Sequence, residues 1–173
     1  MIKLEGTTKK FPQRFFSVKN LDLFVNYVAF SSLIFVLNFS KIYNVIIVLA
    51  LLIITIYYIL KRNKSNINII AFEENNILLY GETFNTKWIK KLDVQKTTIK
   101  IESIPSRAGL THVTFYLILE HKNNPYIINL FDTFSDEGII QIFNEFKRVK
   151  GEKIIIDEKL TISRIQEKIE KCQ

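Results

Sequence analysis

The sequence predicts an α+β membrane protein: a two-helix transmembrane hairpin, then an antiparallel, strand-rich half-barrel closed by a C-terminal helix. Three observations carry this expectation. Two apolar runs lie between Leu21 and Leu60, split by Asn38-Phe39-Ser40-Lys41 and closed by the basic cluster Lys61-Arg62-Asn63-Lys64. Beyond that cluster apolar residues recur with period two in short segments, the mark of half-buried strands. After Ser135 the period lengthens to that of an amphipathic helix. The expected division is a basic arm over 1–20, the hairpin over 21–60, the β domain with its closing helix over 65–150, and a strand/helix tail over 151–173.

The stronger apolar run, Ile42 to Leu60, carries no charged residue. At about 1.5 Å per residue it reaches roughly 28 Å, close to the ~30 Å hydrocarbon core of a bilayer. Tyr43 at one end and Tyr57-Tyr58 at the other fall where amphipathic rings favour the headgroup level. The weaker run, Leu23 to Phe39, holds the intramembrane polar residues Asn26, Ser31 and Ser32, with Asp22 before it. Polar groups in hydrocarbon need partners, and pairing with the second run supplies them better than a lone span does. The polar, basic residues ahead of the first run, and the lack of a small-residue cleavage site after it, argue against a cleaved signal peptide.

Orientation follows from cation placement. Lys3, Lys9, Lys10, Arg14 and Lys19 precede the first run, Lys61, Arg62 and Lys64 follow the second, and Lys41 alone lies in the connection. The positive-inside rule then places both termini in the cytoplasm. The abundance of Ile, Asn and Lys suggests an AT-rich bacterial genome, so the membrane expected is the inner (cytoplasmic) membrane of a bacterium. Of the +7 formal charge on 173 residues, six basic and two acidic residues fall up to Leu60 and eighteen and fifteen after it. The positive bias sits beside the bilayer, where anionic lipid attracts it. A near-balanced β domain argues against nucleic acid as a partner. One cysteine, Cys172, excludes an intramolecular disulfide.

Residues Ile67 to Phe72, the polar turn Glu73-Glu74-Asn75-Asn76 and Ile77 to Gly81 read as a β-hairpin. Thr98 to Glu102 alternates cleanly, as does Val113 to Glu120, and Tyr126 to Phe131 follows the turn His121-Lys122-Asn123-Asn124-Pro125. Ser135 then reads as an N-cap, Asp136 and Glu137 complement the positive helix end, and Phe134 can staple onto Ile139. Ile139, Ile142, Phe143, Phe146 and Val149 share one face up to Lys150-Gly151. In the tail, Ile154-Ile155-Ile156 reads as a strand and Ile162, Ile165, Ile169 and Cys172 as a helical stripe that either caps the domain or meets a partner. The arm leaves two readings open: Lys9 to Phe16 on the cytoplasmic leaflet, or packing on the domain with Ile2-Lys3-Leu4 as an edge strand.

This order of elements resembles bacterial pleckstrin-homology-like membrane proteins, including the YcxB-like group. Lys87-Trp88-Ile89-Lys90-Lys91-Leu92-Asp93-Val94 followed by Thr98-Ile99-Lys100-Ile101 is similar to that family's Trp-x-x-hydrophobic strand pair. Ile104-Pro105-Ser106-Arg107 is similar to an Ile-Pro-Lys-Arg element, here with two strands between it and the final helix. The resemblance covers about residues 21 to 149 and implies a fold; it carries over no catalytic residue.

The residues themselves point to no enzyme, metal or cofactor. His112 and His121 stand near opposite ends of one strand, too far apart to share a metal. Asp136 and Glu137 are explained by capping. No glycine loop for phosphate is present, and Cys172 has no histidine near it in sequence. What remains is cationic and aromatic: Lys9, Lys10, Arg14, Phe15, Lys61, Arg62 and Lys64 beside the hairpin, and Lys87, Lys90 and Lys91 on the domain. These are candidate contacts to anionic lipid or to a protein, against the reading that edge-strand lysines only block pairing. The expectation is a membrane-anchored interaction module for a protein partner, for example a toxin met by its immunity protein, or for lipid. The alternative is an accessory subunit of a transporter or envelope complex. Oligomeric state is not legible.

Overall fold

The computed structural model describes residues 2–17, 20–36, 40–104 and 113–172, the side chains of 104, 171 and 172 excepted. The expected break at Asn38-Phe39, Lys19, the Pro105-Ser106-Arg107 element and His112 lie outside the described residues, as does the side chain of Cys172. The chain is α+β and forms two compact units, Met1–Lys9 with Ser65–Gln173, and Lys10–Lys64. The arm expected over 1–20 is therefore divided between them.

In the first unit, β1 (Ile2–Glu5), β2 (Ser65–Phe72), β3 (Asn76–Thr83) and β4 (Thr86–Asp93) form one antiparallel sheet in that order. A second sheet holds β5 (Thr97–Ile104), β6 (Thr114–His121) and β7 (Asn124–Ile128). Of the two readings of the arm, Ile2–Glu5 takes the edge-strand one, pairing Ile2 with Phe72 and Glu5 with Ile69. The Trp88 and Thr98 segments do not pair with each other. β4 pairs β3 and β5 pairs β6, and a single 3-10 turn, Val94–Lys96, moves the chain between sheets. Asp93 starts that turn by accepting from the Gln95 N–H at 2.9 Å.

Gly81 stands directly opposite Trp88. A Cβ at Gly81 would meet the indole ring and, at 2.7 Å, the Asn66 carbonyl oxygen. Glycine thus lets the one tryptophan approach the β3 backbone and pack on the core. The β6–β7 loop is Lys122-Asn123, both with positive φ (48° and 63°), which matches the twist of a two-residue type I′ hairpin. β7 ends at Ile128 and not at Phe131, because Asn129 turns left-handed at φ 73°.

The closing helix, α4 (Asp136–Lys150), begins as its sequence requires: Ser135 Oγ accepts from the Gly138 N–H at 3.1 Å. Gly151 ends it in the left-handed region at φ 73°, where it carries no Cβ penalty. Ile139, Ile142, Phe143 and Phe146 are fully buried with Ile70, Leu79, Leu117 and Leu119 of the sheets. Each such side chain contributes about 1.5–3 kcal/mol on leaving water. The strand expected at Ile154–Ile156 is absent; Ile156 instead opens α5 (Ile156–Cys172), whose first turn is capped by Glu158 Oε2 accepting from the Ile155 N–H at 2.9 Å.

Ile165 is buried and Ile162 and Ile169 pack on the same core, so the tail helix caps the sheets. Lys147 fastens it, with Nζ 2.8 Å from Glu158 and 3.2 Å from Glu152. Burial works against that ammonium, but the bonds to Glu158 and Glu152 outweigh it and hold its pKa above the usual lysine value.

The second unit holds α1 (Phe11–Phe15), α2 (Leu21–Val36) and α3 (Lys41–Asn63). Asp22 and Arg62 approach to 3.7 Å, which sets the start of α2 beside the end of α3, so the two run antiparallel. Among the described residues, α3 is the one helix long and apolar enough to cross a membrane. The 16 residues described in α2 reach about 24 Å, short of a ~30 Å core.

Candidate functional site

The helical unit is inverted relative to a water-soluble bundle. Only 11% of the most apolar stretch of α3 is buried, and Ile42, Val45, Ile46, Leu49, Ile53, Ile54, Tyr57 and Tyr58 are exposed. On α2, Val25, Val28, Phe30, Leu33, Phe35 and Val36 are exposed as well. Monomeric soluble proteins rarely leave so continuous an apolar surface to water.

The polar residues of α2 do not pair with α3 as expected. Ser32 is exposed, and its hydroxyl donates back to the Val28 carbonyl of its own helix at 2.8 Å. Asn26 is exposed, and the Ser31 hydroxyl is buried with no hydrogen-bond partner among the described residues.

The candidate headgroup cations separate into three groups. Lys10, Lys61 and Lys64 are exposed. Arg62 is engaged with Asp22, and Lys9 donates from Nζ to the Phe131 carbonyl at 2.6 Å. Arg14, expected beside these cations, has a fully buried side chain. The backbone around it is held by Asn20, whose Nδ2 donates to the Arg14 and Phe15 carbonyls at 3.0 and 2.9 Å. The Phe15 ring lies 6.0 Å from Phe11 and 5.0 Å, edge-on, from Phe16, and it is Phe16 that is exposed, at 78%.

The β4 lysines are not one patch. Lys87 and Lys91 share a face of the sheet with the exposed Ile89, while Lys90 lies on the alternate face with Trp88 and Leu92. Lys91 spends its charge on Glu73 at 3.7 Å, beside the β2–β3 turn. Lys87 lies at the other end of the strand, roughly 13 Å away at ~3.3 Å per residue. There the β3–β4 loop is Phe84-Asn85, held between the paired Thr83 and Thr86. Phe84 takes φ 54° and is 43% exposed. A left-handed aromatic costs on the order of 1–3 kcal/mol. Sequence reading passed over Phe84; the signal was a two-residue loop between alternating strands that lacks the glycine such loops favour.

Comparison with family models, curated proteins and solved structures gives no match for this chain.

The remaining chemistry-bearing groups are structurally engaged. Among the described residues no three His, Cys, Asp or Glu side chains group to hold a metal. His121 Nδ1 lies 2.9 Å from Thr97 Oγ1, and Asp136 carries an ion pair with Lys168 at 2.6 Å. Tyr116 donates to Glu102 at 2.7 Å; burial first, then that bond, pushes its phenol up to about 12, so it stays protonated at neutral pH. An open groove of about 320 Å³ runs between β1 and α4, lined by Ile2, Leu4, Gln141, Asn144, Glu145 and Arg148. Glu145 and Arg148 bond to each other there at 2.9 Å and 2.5 Å, which uses the charge on its rim.

Proposed function

We propose that this protein is a membrane-anchored, non-enzymatic interaction module of the bacterial cytoplasmic membrane. The α2–α3 hairpin inserts in the bilayer, and a pleckstrin-homology-like unit of four plus three strands closed by α4 meets a protein partner or anionic lipid at the cytoplasmic face. A toxin neutralised by its immunity protein is one concrete form of that partner. The observation that carries the reading is the exposed apolar surface of α3, a 23-residue helix whose length matches a hydrocarbon core. Tethering raises the effective concentration of any target confined to the same surface. The cations Lys10, Lys61 and Lys64 support both termini being cytoplasmic. Topology reporters fused at Lys41 and at Lys64 test this: an external signal at Lys41 with a cytoplasmic one at Lys64 is expected, and a cytoplasmic signal at Lys41 overturns it.

The exposed Asn26 and Ser32 on α2 favour a second reading, an accessory subunit of a transporter or envelope complex in which these residues face a partner's helix. Asn26→Leu with Ser32→Leu then abolishes co-purification of the complex from detergent. Unchanged co-purification removes this reading and leaves the anchor.

A further inference from the structure

We propose that the Phe84-Asn85 turn is a bilayer-docking tip, which seats the Phe84 ring among anionic lipid headgroups and sets Lys87 against their phosphates. The inference rests on the reading of α3 as a membrane anchor. Its first support is covalent. Only Lys64 separates Asn63, the last residue of α3, from Ser65, the first of β2. Ser65 pairs with Thr83, and Thr83 with Thr86. Neighbouring strands lie ~5 Å apart, so the turn stands next to Ser65, which follows the last residue of the helix by two in sequence.

The second support is the turn itself. Of its two residues only the first, Phe84, has positive φ, the sign pattern of a type II′ hairpin, where glycine is the usual occupant. An aromatic ring held partly in the open at that position is of a kind that settles at a lipid interface.

Charge supplies the third. Lys87 is exposed, has no ion pair among the described residues, and faces Glu82 across the ladder. The opposite end of the same sheet is acidic: its turn carries Glu73 and Glu74, and Lys91 is bound to Glu73. Lys87 and Glu82 balance at the Phe84 end while the far turn keeps a net negative charge, so an anionic surface favours the Phe84 end of the sheet over the Glu74 end.

The test uses the full-length chain with Cys172→Ser, which removes the only thiol. An environment-sensitive fluorophore is attached at Asn85→Cys or, as reference, at Asn75→Cys in the far turn. Each is reconstituted into phosphatidylcholine vesicles with and without phosphatidylglycerol, and quenched by headgroup-nitroxide lipid. Several-fold stronger quenching at residue 85 than at 75, enhanced by phosphatidylglycerol, is expected. Phe84→Gly, which suits the backbone at that φ, is expected to bring residue 85 down to the level of residue 75. Equal quenching at 85 and 75 in chains that resist carbonate extraction overturns the docking tip and leaves the anchor standing. Quenching at 85 unaffected by Phe84→Gly or by phosphatidylglycerol overturns the roles of the ring and of charge. Chains stripped from the vesicles by carbonate overturn the anchor reading itself.

Discussion

Arginine at both Leu49 and Ile53 is expected to move the protein from the carbonate-resistant membrane pellet to the supernatant. The two positions lie one turn apart near the centre of α3, and both are exposed. An arginine at the middle of an inserted helix costs about 2.5–3.5 kcal/mol, so the pair opposes insertion by roughly 5–7 kcal/mol. On a helix facing water the same changes stay within about 0.5 kcal/mol each. The two environments therefore differ by several orders of magnitude in partition. A double variant that sediments like the parent removes α3 as a span.

Asn129→Ala is expected to destabilise the sheeted unit by roughly 3–8 kcal/mol. Asn129 is buried, with Nδ2 donating to the Phe115 carbonyl at 3.0 Å and Oδ1 accepting from the Phe134 N–H at 2.7 Å. One side chain thus joins the start of β6 to the approach to α4. Alanine leaves both backbone groups buried and unpaired, at about 1–3 kcal/mol each, and adds the left-handed penalty of about 1–2 kcal/mol. Against a typical stability of ~5–15 kcal/mol this is severe. Asn129→Gly keeps the lost bonds but relieves φ, so its loss is smaller by roughly the backbone share. Urea unfolding followed by Trp88 fluorescence checks both, and a loss below about 1 kcal/mol for alanine sinks the account.

Most of the strands and α4 were legible because each is written locally. Alternation sets Val113 to Glu120, Ser135 and Gly151 bound α4, and the Glu73 to Asn76 cluster turns the first hairpin. What was not legible depends on partners distant in sequence. Nothing in Tyr126 to Phe131 tells a reader that Asn129 will find Phe115 and Phe134 and end the strand three residues early. The run Ile154-Ile155-Ile156 has β-branched side chains, yet Asp157 and Glu158 complement a helix start and the core accepts Ile165, so packing overrides propensity. The burial of Arg14 was not legible, because composition sees charge and not packing. The loop at Phe84 carried a signal, but its place beside Ser65 exists only once the register of β2 and β3 is known.

The strand order has a consequence in time. β1 leaves the ribosome before the helices and β2 after them, so the edge of the larger sheet closes only once the whole helical unit has been made. Until then the short β1 has no strand to pair with, and it waits on a closure whose entropic cost grows only slowly with loop length. If α2 and α3 enter the bilayer as they emerge, insertion carries both ends of that long loop to one surface. The membrane then acts as an assembly template, and the order of biosynthesis is written into the order of the strands.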